Sequence, residues 1–184
     1  MSASTSLNSC KACAKGYWCK NKGTSSIQEH PCPVGHFCEE STVLPLPCPP
    51  GTYRDSPGAS SRNECFDCPP GQYCPGNDHS LTFSELTPMS GSTIPIPCEL
   101  GTYCPGGDAA PNLCPLGFKG IPDVTNRSSV EASCEICPQG SYGAHPQRQN
   151  CSLCEAGYVC KQGCKKQFPT GEDDLGYSCP GGYI

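Results

Sequence analysis

The sequence predicts a small disulfide-rich fold: tandem cysteine-rich modules strung into an elongated rod, with short β-ribbons and almost no helix. Three observations predict it. Cysteine supplies 19 of 184 residues, a density that marks a disulfide scaffold. Leu, Ile, Val and Phe together number only 26, below the roughly 20% of a chain at which an ordinary hydrophobic core becomes doubtful. A Cys-x-x-Gly motif recurs along the whole chain.

The remaining composition agrees. Gly and Pro contribute 21 residues each, and a chain so poor in aliphatics is disordered unless something restricts it. Cysteine is the only candidate in sufficient number. A Rossmann-type enzyme, a helical bundle and a membrane span are excluded. The net charge is −5 and no Lys/Arg run exceeds two residues, which argues against a nucleic-acid groove or a polybasic membrane patch. The cysteine load demands an oxidising compartment, yet Met1–Cys10 has neither the charged nor the apolar region of a signal peptide. The expectation is a secreted or cell-surface protein whose signal peptide lies outside this chain.

The motif has two forms. The closed form, Cys-x-x-Gly-x-x-Cys, occurs at Cys13/Cys19, Cys32/Cys38, Cys68/Cys74, Cys98/Cys104 and Cys154/Cys160. The open form lacks the second cysteine and starts at Cys48, Cys114 and Cys137. Each open form runs on to a Cys-x-x-Cys: Cys65/Cys68, Cys134/Cys137 and Cys151/Cys154. From Cys10 the cysteine gaps are 2, 5, 12, 5, 9 and 16 residues; from Cys65 they are 2, 5, 23, 5, 9 and 19. The short gaps match and only the loops vary, as in tandem modules with surface insertions. The organisation read from this period is a leader at 1–9, module pairs at 10–64 and 65–133, a short module at 134–150 and an interrupted module at 151–184. The last motif, Cys179-Pro-Gly-Gly-Tyr-Ile184, would close one position beyond the sequence, as in a piece of a longer series.

Two bridging schemes fit these spacings. In the first, closed units pair internally and open units pair forward, as Cys48–Cys65, Cys114–Cys134 and Cys137–Cys151. Cys164–Cys179 then makes a ninth bridge and Cys10 stays unpaired or joins another chain. In the second, adjacent units are joined, for example Cys19–Cys32 and Cys38–Cys48. Each closure of this size contributes roughly 2–3 kcal/mol by restricting the unfolded chain.

Frequent prolines exclude helices longer than two turns. Two-stranded ribbons are the natural element, each opened by Gly-Thr-Tyr or Gly-Gln-Tyr. Leu44-Pro-Leu-Pro47 and Ile94-Pro-Ile-Pro97 read as extended connectors in equivalent places. The Ser/Thr-rich loop 75–97 is the longest and is expected to be the most mobile or most decorated. All eight tyrosines lie one or two positions after a glycine, which fits rings covering the bridges; an exposed tyrosine ladder for sugars or partners is the alternative.

The run Cys48-Pro-Pro-Gly-Thr-Tyr53, Ser56-Pro-Gly-Ala-Ser-Ser61 and Cys65-Phe-Asp-Cys68-Pro-Pro-Gly-Gln-Tyr-Cys74 resembles the ephrin-receptor-like and growth-factor-receptor-like cysteine-rich repeats. The alternation of units looks most like long protist and algal surface proteins of the mastigoneme type. The resemblance covers nearly the whole chain from Cys10. It implies an elongated disulfide-laddered ectodomain serving adhesion, architecture or ligand display. Cys164 departs from the pattern, lying between Cys160 and Cys179 without a counterpart in earlier copies.

Other chemistries find little support. Cys134, Cys137, Cys151 and Cys154 have four-cysteine zinc spacing, but a cysteine ladder explains them without metal. His30, His36, His79 and His145 show no ligand spacing, and neither Glu172-Asp173-Asp174 nor Asn77-Asp78 has the alternation of a calcium loop. No nucleophile elbow, zincin motif or phosphate loop is present, so no enzyme and no cofactor are expected. Asn126-Arg-Ser128 and Asn150-Cys-Ser152 are N-glycosylation motifs, and Thr87–Thr93 suits O-linked sugar. The functional expectation is a structural extracellular glycoprotein of a surface coat or filament. Its partners would be attached glycans and self-association or neighbouring modules, with no nucleic acid and no membrane span. A ligand-binding receptor ectodomain is the alternative.

Overall fold

The computed structural model describes residues 11–20, 26–28, 30–76, 91–144 and 150–179. Cys10, the leader, His79, His145, Asn77-Asp78, Tyr183 and most of Thr87–Thr93 lie outside them. The described residues form eight separate antiparallel hairpins. In order these are β1 (Tyr17–Trp18) with β2 (His30–Pro31), β3 (His36–Phe37) with β4 (Leu46–Pro47), and β5 (Thr52–Tyr53) with β6 (Phe66–Asp67). Next come β7 (Gln72–Tyr73) with β8 (Ile96–Pro97), β9 (Thr102–Tyr103) with β10 (Asn112–Leu113), and β11 (Phe118–Gly120) with β12 (Cys134–Ile136). The last two are β13 (Ser141–Tyr142) with β14 (Ser152–Leu153) and β15 (Tyr158–Cys160) with β16 (Gly176–Ser178). Helix among the described residues is limited to α1 (Val130–Ser133) and 3-10 turns at Arg62–Glu64 and Glu172–Asp174.

Each hairpin begins the same way. The residue four places after the opening cysteine donates its amide to the carbonyl just after that cysteine, as in Thr52 N to Pro49 O at 3.0 Å and Gln72 N to Pro69 O at 3.1 Å. The glycine between them has a positive φ, 85° at Gly51 and 83° at Gly71, which a turn of the Pro-Gly type requires. Where the following residue is Thr or Ser its hydroxyl donates to the same carbonyl, Thr52 to Pro49 at 2.6 Å and Ser141 to Pro138 at 2.7 Å. The second strand then ends immediately before the next opening cysteine. The two extended connectors behave alike: Leu46–Pro47 and Ile96–Pro97 are both second strands.

Consecutive hairpins are joined by a backbone ladder centred on the glycine. Its amide donates to the carbonyl six residues past the next opening cysteine: Gly16 to Cys38, Gly35 to Arg54 and Gly51 to Cys74, all at 2.8 Å. Its carbonyl accepts from the next opening cysteine: Cys32 to Gly16 and Cys48 to Gly35 at 2.8 Å, and Cys68 to Gly51 at 2.9 Å. The same pattern continues with Gly71 to Cys104, Gly117 to Gly143 and Gly140 to Cys160.

The glycine also lies under a loop from two hairpins further on. A Cβ on Gly16 would stand 2.6 Å from Gly58 O, and Cβ atoms on Gly35, Gly51 and Gly117 would run into the carbonyls of Gly91, Gly107 and Gly163. On Gly71 a Cβ would stand 3.3 Å from Arg127 N. Contacts thus span two repeats, the period read from the cysteine gaps.

By contact density the chain divides into two compact units. One comprises Met1–Cys68, Cys74–Pro95 and Gly107–Ala109; the other comprises Pro69–Tyr73, Ile96–Gly106 and Ala110–Ile184. Bridges Cys48–Cys65, Cys114–Cys134 and Cys137–Cys151 cross the divisions expected at 64/65, 133/134 and 150/151. The buried apolar residues are mostly the cysteines themselves, joined by Phe37, Ala59 and Tyr142.

Gly51 and Gly157 have nearly the same φ, 85° and 87°, but among the described residues nothing lies within 4 Å of a Cβ on Gly157. Gly157→Ala should cost only the left-handed backbone strain, about 1–2 kcal/mol. Gly51→Ala should cost about 1–3 kcal/mol more, for overpacking against Gly107. Guanidinium unfolding with the bridges intact reads both; equal losses would show that the loop does not press on the glycine.

Candidate functional site

Among the described residues the framework has eight disulfides. The closed units bridge internally, as Cys13–Cys19, Cys32–Cys38, Cys68–Cys74, Cys98–Cys104 and Cys154–Cys160. The open units bridge forward across the base of their hairpins, as Cys48–Cys65, Cys114–Cys134 and Cys137–Cys151. Cα separations run from 5.7 to 6.4 Å, within the usual span of a disulfide. Bridges between adjacent units are absent among the described residues. All four cysteines of the zinc-like spacing are consumed in bridges, and no group of three or more His, Cys, Asp or Glu among the described residues could hold a metal ion.

The ninth bridge expected from the sequence, Cys164–Cys179, is not formed; both are free thiols, Cys164 buried and Cys179 partly exposed. The reason is their place in the ladder. At six of the eight hairpins the amide six residues past the opening cysteine donates to a loop carbonyl of the next repeat: Cys19 to Thr42, Cys38 to Ala59, Arg54 to Ser92, Cys74 to Asp108, Cys104 to Arg127 and Gly143 to Cys164, at 2.8–3.0 Å. Cys164 therefore does have counterparts, but they are backbone positions occupied by Thr, Ala, Ser, Asp and Arg. Its side chain lies in the buried cluster of Tyr142 and Cys160, and its Sγ donates to Lys166 O at 3.3 Å. Cys179 stands in the place of an opening cysteine, its amide donating to Gly157 O at 2.7 Å as Cys154 does to Gly140. These loop positions escaped sequence reasoning. Their signal is a preceding residue that tolerates left-handed backbone, namely Ser41 (φ 66°), Gly58 (87°), Gly107 (69°) and Gly163 (78°).

The long loop is held where it returns. Ser92 is buried, its hydroxyl accepts from Gly76 N at 2.9 Å, and its carbonyl accepts from Arg54 N at 3.0 Å. Most of the loop expected to be mobile or decorated, residues 77–90, lies outside the described residues. Arg54, at the place of a closing cysteine, locks its loop by other means. Its guanidinium donates to Ser56 O and Glu64 O, both at 3.1 Å, and lies 5.2 Å from the centre of the Phe66 ring.

Glu64 completes that lock by accepting from the Ser60 hydroxyl and from Ser60 N at 3.0 Å. The Ser60 hydroxyl first, then the Ser60 amide and the Arg54 charge, hold its carboxyl below the ordinary glutamate range. Lys166 at 3.0 Å, then the Thr170 amide, likewise lower the Asp174 carboxyl, so Asp174 is committed within its own loop. A carboxylate with a depressed folded pKa contributes stability that is complete above the unfolded-chain value and is lost as pH falls through the folded value.

The remaining expected residues are dispersed. The His30 ring lies 5.4 Å from the Trp18 ring, tilted by 40°, while His36 is buried with Nδ1 bonded to Val34 O at 2.9 Å. Tyr142 is buried and Tyr177 exposed, with Tyr17, Tyr53, Tyr73, Tyr103 and Tyr158 between these extremes. Asn126 and Asn150 are both exposed. Apolar side chains are also exposed on the loops and second strands, among them Val43, Ile94 and Leu153. No described helix is long and apolar enough to cross a membrane.

This is a disulfide-rich array of hairpin repeats whose surface is variable loop. No family model matches the chain. Over 77 residues, 42% of the chain, it is 36% identical to endosome/lysosome-associated apoptosis and autophagy regulator family member 2 of Mus musculus. The match spans 7% of that relative's length.

Two outcomes follow. Native thiol labelling should modify Cys179 readily and Cys164 only after unfolding; labelling of neither in the unfolded, unreduced protein would mean that they are bridged. Glu64→Gln should lower stability at neutral pH and leave a smaller further loss in acid than wild type shows, measured by urea unfolding across a falling pH series.

Proposed function

We propose that the chain is a structural element of an extracellular surface coat or filament, built from disulfide-closed hairpin repeats that also associate with neighbouring modules. The carrying observation is the hydrogen-bond register that recurs at six of the eight hairpin glycines. It favours a scaffold that displays loops over a protein organised around one catalytic centre. Eight bridges favour assembly in an oxidising compartment, since cytosolic thiols are kept reduced. The resemblance to ephrin-receptor-like repeats of large surface proteins supports the same reading. The chain acts without an enzymatic role or cofactor in this proposal.

The alternative is a receptor ectodomain, favoured by the exposed apolar side chains Val43 and Leu44 before β4 and Leu46 within it. Gel filtration over a range of concentrations, with electron microscopy of the concentrated sample, separates the two. Concentration-dependent assembly is expected; a chain that stays monomeric at high concentration overturns the coat reading in favour of the receptor. Reduction with alkylation should abolish the folded state, because each bridge contributes roughly 2–3 kcal/mol and the apolar core is small. Retention of a cooperative unfolding transition after reduction would show that the bridges are dispensable.

A further inference from the structure

We infer that Asn126 carries an N-linked oligosaccharide and that Asn150, which heads the same acceptor motif, stays bare. The inference rests on the extracellular reading above, because the sugar donor is met in the secretory pathway. In the transfer, Asn126 Nδ2 bonds to C1 of the first sugar of a lipid-pyrophosphate-linked oligosaccharide. The bond from C1 to the pyrophosphate oxygen breaks, the lipid pyrophosphate leaves with the electron pair, and the amide gives up one proton.

The two motifs differ in what holds their second and third residues. Asn126-Arg127-Ser128 lies in irregular chain between the turn at Pro122-Asp123 and α1. It is anchored through its middle residue. Arg127 is buried, its Nη2 donates to Ile121 O at 2.9 Å, and its carbonyl accepts from Cys104 N at 2.8 Å. Asn126 itself is exposed. The helix cap is made by the neighbouring Ser129, whose hydroxyl accepts from Ala132 N at 3.2 Å, so Ser128 is not drawn into capping. No residue of this motif belongs to a bridge or a strand.

Asn150-Cys151-Ser152 is constrained on both sides. Cys151 is bridged to Cys137 across a sequence separation of 14 residues. Ser152 is the first residue of β14 and pairs with Tyr142. An acceptor asparagine must bend toward the hydroxyl two residues on, a local side-chain geometry that competes with regular pairing. Closure of a short loop precedes longer-range pairing, so the Cys137–Cys151 bridge removes the motif from the open chain on which transfer takes place. Exposure alone does not separate the two sites, since both asparagines are exposed; the bridge does.

The test uses the chain secreted from a eukaryotic culture behind an added signal peptide, with peptide N-glycosidase, which converts a glycosylated asparagine to aspartate, as the probe. The expected result is one enzyme-sensitive glycan, lost in Asn126→Gln, retained in Asn150→Gln, with aspartate found at position 126. Cys137→Ser keeps the Asn150 motif intact but removes its bridge partner, and a second glycan at Asn150 is expected there. A glycan that survives Asn126→Gln, or wild-type occupancy at Asn150, overturns the inference. So does a Cys137→Ser protein still bare at Asn150. Secreted, fully bridged protein bare at Asn126 overturns this inference alone, whereas a chain retained in the cell with free thiols overturns the extracellular reading with it.

Discussion

Close approach of backbone to backbone at one glycine per hairpin is the constraint on which the other features depend. Gly51 shows all of it. Its amide reaches Cys74 O, its carbonyl receives Cys68 N, and its α-carbon lies under Gly107 O. A side chain there would break the last contact, and a negative φ would misdirect the first two. The opening cysteine is held by the same geometry, because its amide is the donor to the preceding glycine. The disulfide fixes the same segment that the hydrogen bonds hold.

This division of labour explains how the chain does without an oily interior. Aliphatic side chains such as Leu153 and Ile94 are left in solvent at 85% and 71% exposure, while Cys32, Cys38, Cys74 and Cys104 are fully covered. Sulfur and main chain fill the space that Leu and Val fill in an ordinary domain. Where a closing cysteine is missing, other devices occupy its place. Arg54 ties its own loop to Glu64. Gly120 and Gly143 instead let the chain pass tightly, a Cβ on Gly143 standing 3.2 Å from Cys137 Sγ.

The local half of this structure is legible in the sequence. Cys-Pro-Pro-Gly-Thr-Tyr prescribes a turn with positive φ at Gly51 and a strand after it, and these are contacts within a few residues. The loop positions that roof each glycine are not legible in the same way. Thr42, Ala59, Ser92, Asp108, Arg127 and Cys164 act through their main-chain carbonyls, so their side chains carry no common mark, and loop length varies between copies. Cys164 shows the consequence. Counting leftover cysteines pairs it with Cys179, because the sequence displays its sulfur and conceals that the position is defined by its carbonyl. The loop at Gly91–Thr93 reads as mobile for a related reason: Ser and Thr suggest solvent, and nothing local announces that Ser92 joins Tyr53 in a bridge between distant segments.

Because the main chain carries the contacts between copies, each copy meets its neighbours through groups that every amino acid possesses. Gly58 and Gly107 reach the carbonyls of Cys32 and Cys68 in the same way although the loops bearing them share little wording. An array of this kind has interchangeable joints. Gene duplication that inserts whole cysteine-to-cysteine blocks would lengthen it without redesigning any contact, while drift in the loops would alter what it displays and leave the joints untouched.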